Sequence, residues 1–151
     1  TTPNKLLQRW EQSNWIRDIY TDGRPHPPTT DAFYHGHSIG KVLSPTEIVV
    51  DSTNFTFDPD GWDDHSHLAT SGRKHFIEHY RLTSAETMEA EFTVEDPIFL
   101  KSPFTWKHRY IKTERPFVST WDCDAEAGHE ELYRTIPQKY PDDTEFAKYN
   151  K

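Results

Sequence analysis

Short segments in which apolar and polar residues alternate, separated by turn residues, run along most of the chain. The turn signals are clusters of Gly, Pro and Asp such as TDGRPHPP (21–28) and DPDGWDD (58–64). The segments between them are rich in β-branched and aromatic residues: KLLQRWEQ, WIRDIYT, GHSIGKVL, TEIVVDS, KHFIEHYRL, TMEAEFTVED, FTWKHRYIK and FVSTWDCD. Short strands at fairly regular spacing predict an antiparallel sandwich or a closed barrel, with HSIG and IVVD as two halves of a hairpin.

The two ends of the chain leave more than one interpretation. Apolar residues between Leu6 and Ile19 fall near helical spacing, but Trp, Ile and Tyr favour a hairpin that turns at Ser13-Asn14. After Asp124, AEAGHEELYRT is compatible with a short helix, and residues 137–151 form a polar C-terminal tail. We therefore predict an all-β fold with one domain over residues 1–151. Its expected form is an antiparallel barrel of about eight strands, lipocalin-like in shape, with a short C-terminal helix or tail.

Composition supports a folded domain with an aromatic interior. The apolar share of 33% is low, which on its own leans toward disorder. The aromatic share of 14% argues the other way, because five Trp, seven Tyr and nine Phe bury large areas from few residues. A chain of 151 residues is long enough to bury a core as a single domain.

The charge balance narrows the range of partners. The 25 acidic residues outnumber the 17 Lys and Arg, and the net charge is -8 without a basic stripe. We therefore expect neither nucleic acid nor a membrane surface as a partner. No apolar run approaches the ~20 residues of a membrane-spanning helix. The single Cys123 excludes an internal disulfide and, between Asp122 and Asp124, is a poor nucleophile.

Four sequence blocks carry a family resemblance: IYTDGRPHP (19–27), GHSIGKVLSPTEIVVDSTNF (36–55), HFIEHYRL (75–82) and VEDP (94–97). Over residues 15–124 the chain resembles a large family of mostly secreted bacterial proteins of unknown function. In that family the blocks YTDGR-x-HP, G-x-SIG, LVVDT-x-F, H-x-x-ER and DP follow in the same order. The chain departs from the pattern at KVLSPTE (41–47), where the family has a hairpin with Trp and Gly, and at His79, which replaces an arginine.

The resemblance implies a small lipocalin-like barrel that holds one ligand, and a secreted or periplasmic location. A cytoplasmic location stays open as the alternative. Because the chain begins at Thr1 and not at a Met, removal of an N-terminal segment such as a signal peptide is also left open.

Titratable residues occupy strand positions at which alternate side chains share a face. This spacing groups His37 with Lys41, Glu47 with Asp51, His75 with His79, and Glu78 with Tyr80. The interior of a ring of about eight strands is either packed solid or holds one small ligand, and a solid interior would need aliphatic residues in place of His and Asp. We therefore expect a hollow interior, lined by ionisable groups, that forms a small-molecule pocket.

Such a pocket predicts acid–base chemistry without an organic cofactor. His37 and His75 are the candidate general acid and base, because imidazole titrates near neutral pH. Asp51 and Glu78 are their candidate orienting partners. The predicted substrate-binding residues are Arg24, His26, Tyr80, Trp106 and Trp121. Their expected roles are to stabilise negative charge, to meet the ligand at the mouth of the barrel, or to form the wall of the pocket.

We expect a lyase or isomerase, dehydratase- or cyclase-like, that abstracts a proton from a small aromatic, hydrophobic or polyketide-like molecule. Two alternatives remain: a non-catalytic carrier or sensor of a hydrophobic or aromatic ligand, and a structural or interaction domain with a packed interior. For each residue a structural role is the competing interpretation; Arg24, for instance, would pair with Asp22 and clamp its loop. A homo-oligomer is compatible with all three classes.

The chain has nine histidines, which is enough to suggest a metal site. HGH (35–37) and HSH (65–67) have a spacing that presents two imidazoles on one strand face. Zinc needs three or four such ligands, whereas His75 and His79 would lie ~13 Å apart in an extended strand. DPDGWDDHSH (58–67) lacks the glutamate spacing of a calcium-binding EF-hand loop. We therefore predict no metal, and the chain has no phosphate-binding glycine loop, CxxC motif or dinucleotide fingerprint.

Overall fold

One β-sheet forms the described part of the protein. The computed structural model describes residues 4–11, 15–59, 61 and 69–116, all of which belong to the unit Thr1–Phe117. Within these ranges there is no helix, and so none long and apolar enough to cross a membrane. The strands are β1 (Lys5–Arg9), β2 (Ile16–Tyr20), β3 (His37–Ser44), β4 (Glu47–Thr53), β5 (His75–Leu82), β6 (Thr87–Glu95) and β7 (Phe104–Ile111).

The seven strands pair in chain order, from β1 at one edge to β7 at the other. The prediction of an all-β, barrel-like fold is confirmed, and β1–β2 and β3–β4 pair antiparallel, as the two predicted hairpins require. One pair differs from the predicted antiparallel pattern: β2 and β3 run parallel, with Ile19 opposite Ser38. Residues 21–36 between them are a long connection instead of a tight turn, and a parallel pair needs such a connection to return the chain across the sheet.

The last predicted elements lie outside the described residues. These are the eighth strand, FVSTWDCD (117–124), the short helix after Asp124, and the tail at 137–151. The prediction of a single domain over residues 1–151 therefore stays a prediction.

The sheet curls into half a barrel. β1 and β5 are four strand positions apart, so a flat sheet would separate them by about 19 Å. Instead, the side-chain amide of Gln8 on β1 donates a hydrogen bond of 3.3 Å to the hydroxyl of Tyr80 on β5. Side chains on this face converge across the interior. It is termed the concave face below, and the opposite one the outer face.

The concave face carries the hydrophobic core. Its buried members are Ile19, Val50, Tyr80, Ala90 and Phe92, against which Leu6, Ile48, Phe76, Met88 and Trp106 pack. Phe92 stacks between Phe76 and Trp106, with ring centroids 5.9 Å and 5.2 Å away. The outer face is mixed: histidines and charged residues share it with apolar residues such as Leu7, Val49 and Ile77.

Candidate functional site

Strand alternation divides the predicted catalytic residues between the two faces. His37 on β3, Asp51 on β4 and His75 on β5 project from the outer face, whereas Glu78 and Tyr80 of β5 project from the concave face. The expectation that one interior pocket gathers all of these groups is therefore wrong. Residues an odd number of positions apart on a strand, such as His75 and Glu78, point to opposite sides of the sheet.

The predicted substrate-binding residues are divided in the same way. Arg24 and His26 lie in the connection 21–36, next to outer-face side chains. Trp106 packs on the concave face with Tyr80. Trp121 lies outside the described residues.

Four of the predicted residues form a hydrogen-bonded chain on the outer face, which Glu95 completes. The Nδ1 atoms of His26 and His37 lie 2.9 Å apart, and Nε2 of His26 lies 3.2 Å from Oδ1 of Asp51. The same Asp51 oxygen lies 3.1 Å from Nε2 of His75, whose Nδ1 lies 3.1 Å from Oε2 of Glu95. This histidine chain, His37–His26–Asp51–His75–Glu95, joins β3, β4, β5 and β6 to the connection 21–36.

The register of the sheet explains why the strand residues of the histidine chain meet. Asp51 is a diagonal neighbour of His37 on β3 and of His75 on β5. His75 is directly opposite Glu95 in the β5–β6 hairpin. Side chains at direct and diagonal positions on one face lie close enough to touch when they are long or aromatic.

The connection 21–36 brings His26 onto the outer face. A connection between parallel neighbours must cross one face of the sheet, and this one crosses the outer face. Asn54 anchors it, because its side-chain amide donates hydrogen bonds to the carbonyls of Pro28 (2.8 Å) and Asp31 (2.9 Å). Asn54 can do so from a backbone φ of 58°, a conformation that Asn tolerates better than most residues.

Gly36 fixes the point at which β3 begins, directly before His37. Its φ of 69° lies in the left-handed region that favours glycine. A Cβ at this position would lie 2.7 Å from the ring of Phe55 and 2.8 Å from the carbonyl oxygen of Thr53. The glycine therefore lets the connection pack tightly against β4 and its extension.

His37 lies in an aromatic and partly desolvated setting. Its ring stacks on Tyr20 with centroids 5.2 Å apart, and Phe33 lies 6.2 Å away. Burial, followed by the neighbouring His26 and Arg24, lowers the pKa of His37 from its ordinary value of 6.5. The ring is therefore neutral at pH 7, and one of its nitrogens keeps a lone pair that accepts a proton.

Arg24 lies beside this group but is already paired. Its guanidinium lies 3.9 Å from the ring centroid of Tyr20 and donates to both carboxylate oxygens of Asp22, at 2.9 Å and 2.6 Å. The hydrogen bond from Arg24 lowers the pKa of Asp22 to about 2. Arg24 therefore acts on His37 as a nearby positive charge.

Glu78 belongs to a second group of polar residues, on the concave face. Arg17 forms an ion pair with Glu78 and donates to the hydroxyls of Ser38 (2.8 Å) and Ser52 (2.7 Å). The hydroxyl of Tyr80 donates to Glu78 at 2.6 Å. Only 7% of the Arg17 side chain and 2% of the Glu78 side chain are exposed. Across the described ranges, no buried side-chain nitrogen or oxygen lacks a hydrogen-bond partner.

This interior polar cluster is closed to proton transfer. Burial, and then the Glu78 carboxylate, raises the pKa of Tyr80 above its ordinary value of 10, so the phenol keeps its proton. Both oxygens of Glu78 already accept hydrogen bonds, one from Arg17 and one from Tyr80. The cluster therefore holds strands together, whereas the side chains of His26, Asp51 and His75 in the histidine chain are titratable and partly exposed.

Two site residues were missed by the sequence reasoning. Glu95 could have been found by counting back from the turn SAE (84–86), which places His75 opposite Glu95. Arg17 could have been found because it shares a strand face with Ile19, and an arginine on an apolar face needs a buried acid as its partner.

The histidine pairs do not form a metal site within the described residues. No group of three or more His, Cys, Asp or Glu side chains there is arranged to hold an ion. In HGH, His35 packs against the rings of Trp15 and Tyr34, whereas His37 contacts His26. HSH (65–67) lies outside the described residues.

The outer face also carries a depression of about 510 Å³ over β5, β6 and β7. Charged side chains along it pair across the strands, Arg81 with Glu89 and Lys107 with Glu91, each at 2.9 Å. Ion pairs of this kind on a solvated sheet contribute little energy and add no reactive group to the histidine chain.

No family model matches the chain, and neither a curated protein nor a solved structure matches it. The resemblance to the secreted bacterial family therefore stays a prediction, and the function proposed below is argued from the geometry of the site.

Proposed function

We propose that the protein is a lyase or isomerase, without an organic cofactor, that moves a proton on a small aromatic or hydrophobic molecule at the histidine chain. The observation that carries this proposal is the sequence of contacts His37–His26–Asp51. It links a partly exposed imidazole to a carboxylate through a second imidazole. Acid–base catalysis uses this arrangement, in which a second group orients the base and a third group holds the second in place.

The donor and acceptor capacities of Asp51, His26 and His37 indicate which ring nitrogens carry a proton. The Asp51 carboxylate only accepts, so Nε2 of His26 donates to it and Nδ1 of His26 keeps a lone pair. That lone pair accepts from the Nδ1–H of His37. Nε2 of His37 is then the basic nitrogen that meets the substrate.

The proposed reaction begins when Nε2 of His37 removes a proton from a carbon beside an electron-withdrawing group. In a lyase the C–H electron pair forms a C=C bond as the leaving group departs from the adjacent carbon, and in an isomerase, which loses no group, the pair moves into the electron-withdrawing group as an enolate. In a dehydratase-like reaction the departing hydroxide takes the proton back from His37 and leaves as water; in an isomerase the proton returns to a different carbon. Asp51 stabilises the intermediate imidazolium through His26.

The surroundings of His37 favour a flat and apolar substrate. Tyr20 and Phe33 lie on its flanks and offer aromatic surface. Arg24 brings positive charge near the place where an enolate-like intermediate develops negative charge. These contacts support an aromatic or polyketide-like molecule.

Replacing Asp51 with Asn is expected to slow proton abstraction at least about tenfold, because Asn keeps the size of the side chain but not the charge that stabilises the imidazolium. The probe is 5-nitrobenzisoxazole, which opens to a coloured cyanonitrophenolate once a base removes one proton from carbon. Absorbance follows the rate.

Glu47→Gln is the matched control, since Glu47 accepts from His79 at 3.0 Å on the same face but outside the histidine chain. Equal rates in Asp51→Asn and Glu47→Gln would contradict the proposal. So would a wild-type rate no higher than that of free imidazole at the same concentration.

A carrier of a small hydrophobic ligand is the second candidate, and the rim of the concave face favours it. Val42, Leu82 and Tyr110 lie on that face near one end of the sheet and are 62%, 47% and 40% exposed. The polar atoms deeper on the same face are already satisfied, which is what an apolar ligand requires.

Saturating amounts of a bound aromatic compound are expected to raise the melting temperature by several degrees, because a ligand that binds only the folded state stabilises it. Leu82→Glu should abolish the shift, whereas Leu7→Glu, the same change on the outer face, should keep it. A panel of aromatic compounds that leaves the wild-type melting temperature unchanged would remove this candidate.

A further inference from the structure

His75 lies between two carboxylates, one on each ring nitrogen. Nε2 faces Asp51 of β4 at 3.1 Å, and Nδ1 faces Glu95 of β6 at 3.1 Å. Carboxylates at neutral pH accept hydrogen bonds and donate none, whereas a neutral imidazole has one N–H and one lone pair. Both contacts are hydrogen bonds only when each ring nitrogen of His75 carries a proton.

We propose that His75 is a resident imidazolium with Glu95 as its counter-ion, and that the two are positioning residues for the base His37. The role of His37 in this inference rests on the proposed function. The charge of His75 does not rest on the proposed function, because it follows from the hydrogen-bond donors and acceptors at its two ring nitrogens.

The two residues act on His37 through Asp51. Oδ1 of Asp51 accepts from His75 on one side and from His26 on the other. A charged donor holds a carboxylate more firmly than a neutral one, so His75 fixes the orientation of Asp51. Asp51 in turn fixes the tautomer of His26, which leaves Nε2 of His37 free for the substrate.

Charged or titratable groups face His75 from three neighbouring elements. Asp51 projects from β4, Glu95 from β6, and His26 from the connection 21–36, where it shares the Asp51 oxygen. The His75 side chain is 30% exposed, so protons exchange with solvent while the sheet stays folded. The positive charge of His75 also opposes protonation of His37, which keeps that ring in its neutral form.

Histidine ¹⁵N spectra of the wild-type protein at pH 7 test the charge directly. We expect two protonated nitrogens on His75. We expect neutral rings of opposite tautomer on its neighbours, with the proton on Nε2 of His26 and on Nδ1 of His37. A neutral His75 ring under these conditions overturns the proposal.

Glu95→Gln tests the counter-ion. Loss of an adjacent opposite charge is expected to lower the ratio of charged to neutral His75 about tenfold. Glu95→Asp should restore much of it. Glu91→Gln is the matched control, because Glu91 lies on the same strand and face but pairs with Lys107. An equal ratio in Glu95→Gln and Glu91→Gln overturns the role of Glu95.

His75→Gln tests the effect on the base. Gln can still donate to Asp51 but carries no charge, so the pKa of His37 is expected to rise, because a nearby positive charge that opposes its protonation is removed. A pKa of His37 that stays constant or falls in this variant overturns the positioning role. None of these spectra depends on turnover. A wild-type protein that is inactive on 5-nitrobenzisoxazole would therefore contradict the proposed function, while the spectra would still show whether His75 is charged.

Discussion

Replacing Glu78 with alanine is expected to lower the free energy of unfolding by about 3–5 kcal/mol, because the buried Arg17 guanidinium is left without its counter-ion. Arg17 is 7% exposed, so water cannot take the place of the lost carboxylate. The Tyr80 hydroxyl loses its buried acceptor at the same time. Urea denaturation of wild type and variant, followed by circular dichroism, measures the difference.

Glu91→Ala is the control for this prediction, because it removes a carboxylate of the same sheet that pairs with Lys107 in solvent. Its expected cost is much smaller, because an ion pair in solvent contributes little to stability. The double variant Arg17→Met, Glu78→Leu should recover most of the stability, since it removes both buried charges together. A double variant as unstable as Glu78→Ala would contradict the explanation by an uncompensated charge.

The same ion pair bears on the curvature of the sheet. Arg17 on β2 and Glu78 on β5 are three strand positions apart, about 14 Å in a flat sheet. Their contact, with Ser38 and Ser52 of the intervening strands as further acceptors, requires that β2 to β5 curl around it. Apolar packing alone is compatible with several curvatures of the sheet, whereas a buried ion pair keeps its hydrogen bonds in only a few of them.

The strands could be predicted from the sequence because each one is a local pattern with a clear end. Alternation in KHFIEHYRL and TMEAEFTVED, with TSAE (83–86) between them, suffices to predict β5, β6 and their hairpin. The parallel pairing of β2 and β3 could not be predicted in this way. It depends on the path of the connection 21–36, which Asn54 sets through contacts far along the chain.

Alternation also grouped the site residues correctly within each strand, but it does not tell which group faces inward. His75 and Glu78 stand on opposite sides of β5 whichever side is buried. The concave side contains Glu78 because Arg17 offers a buried partner there, and that partner lies on another strand. The contact of His26 with Asp51 is likewise tertiary, so no local pattern indicates it.

Replacing His37 with Gln is expected to slow proton abstraction from 5-nitrobenzisoxazole by about 10²–10⁴-fold, the usual contribution of a positioned general base. Gln keeps hydrogen-bonding groups near His26 but has no basic nitrogen. His35→Gln is the matched control: burial lowers the pKa of His35 as well, yet His35 packs against Trp15 and takes no part in the histidine chain. Equal losses in the two variants would show that the base lies elsewhere.

The pH dependence of the rate of the same reaction tests whether His37 is the base, because the pKa of His37 is lowered. Only the neutral ring of His37 accepts a proton, and burial, His26 and Arg24 lower its pKa from 6.5. The wild-type rate is therefore expected to be constant around pH 7 and to fall only on the acid side of 6.5, as pH drops through the lowered pKa. Arg24→Gln removes one of the positive charges, so the pKa of His37 rises and the fall in rate moves to higher pH. A fall that begins above 6.5 in wild type, or one that Arg24→Gln leaves in place, would assign the basic nitrogen to a different residue.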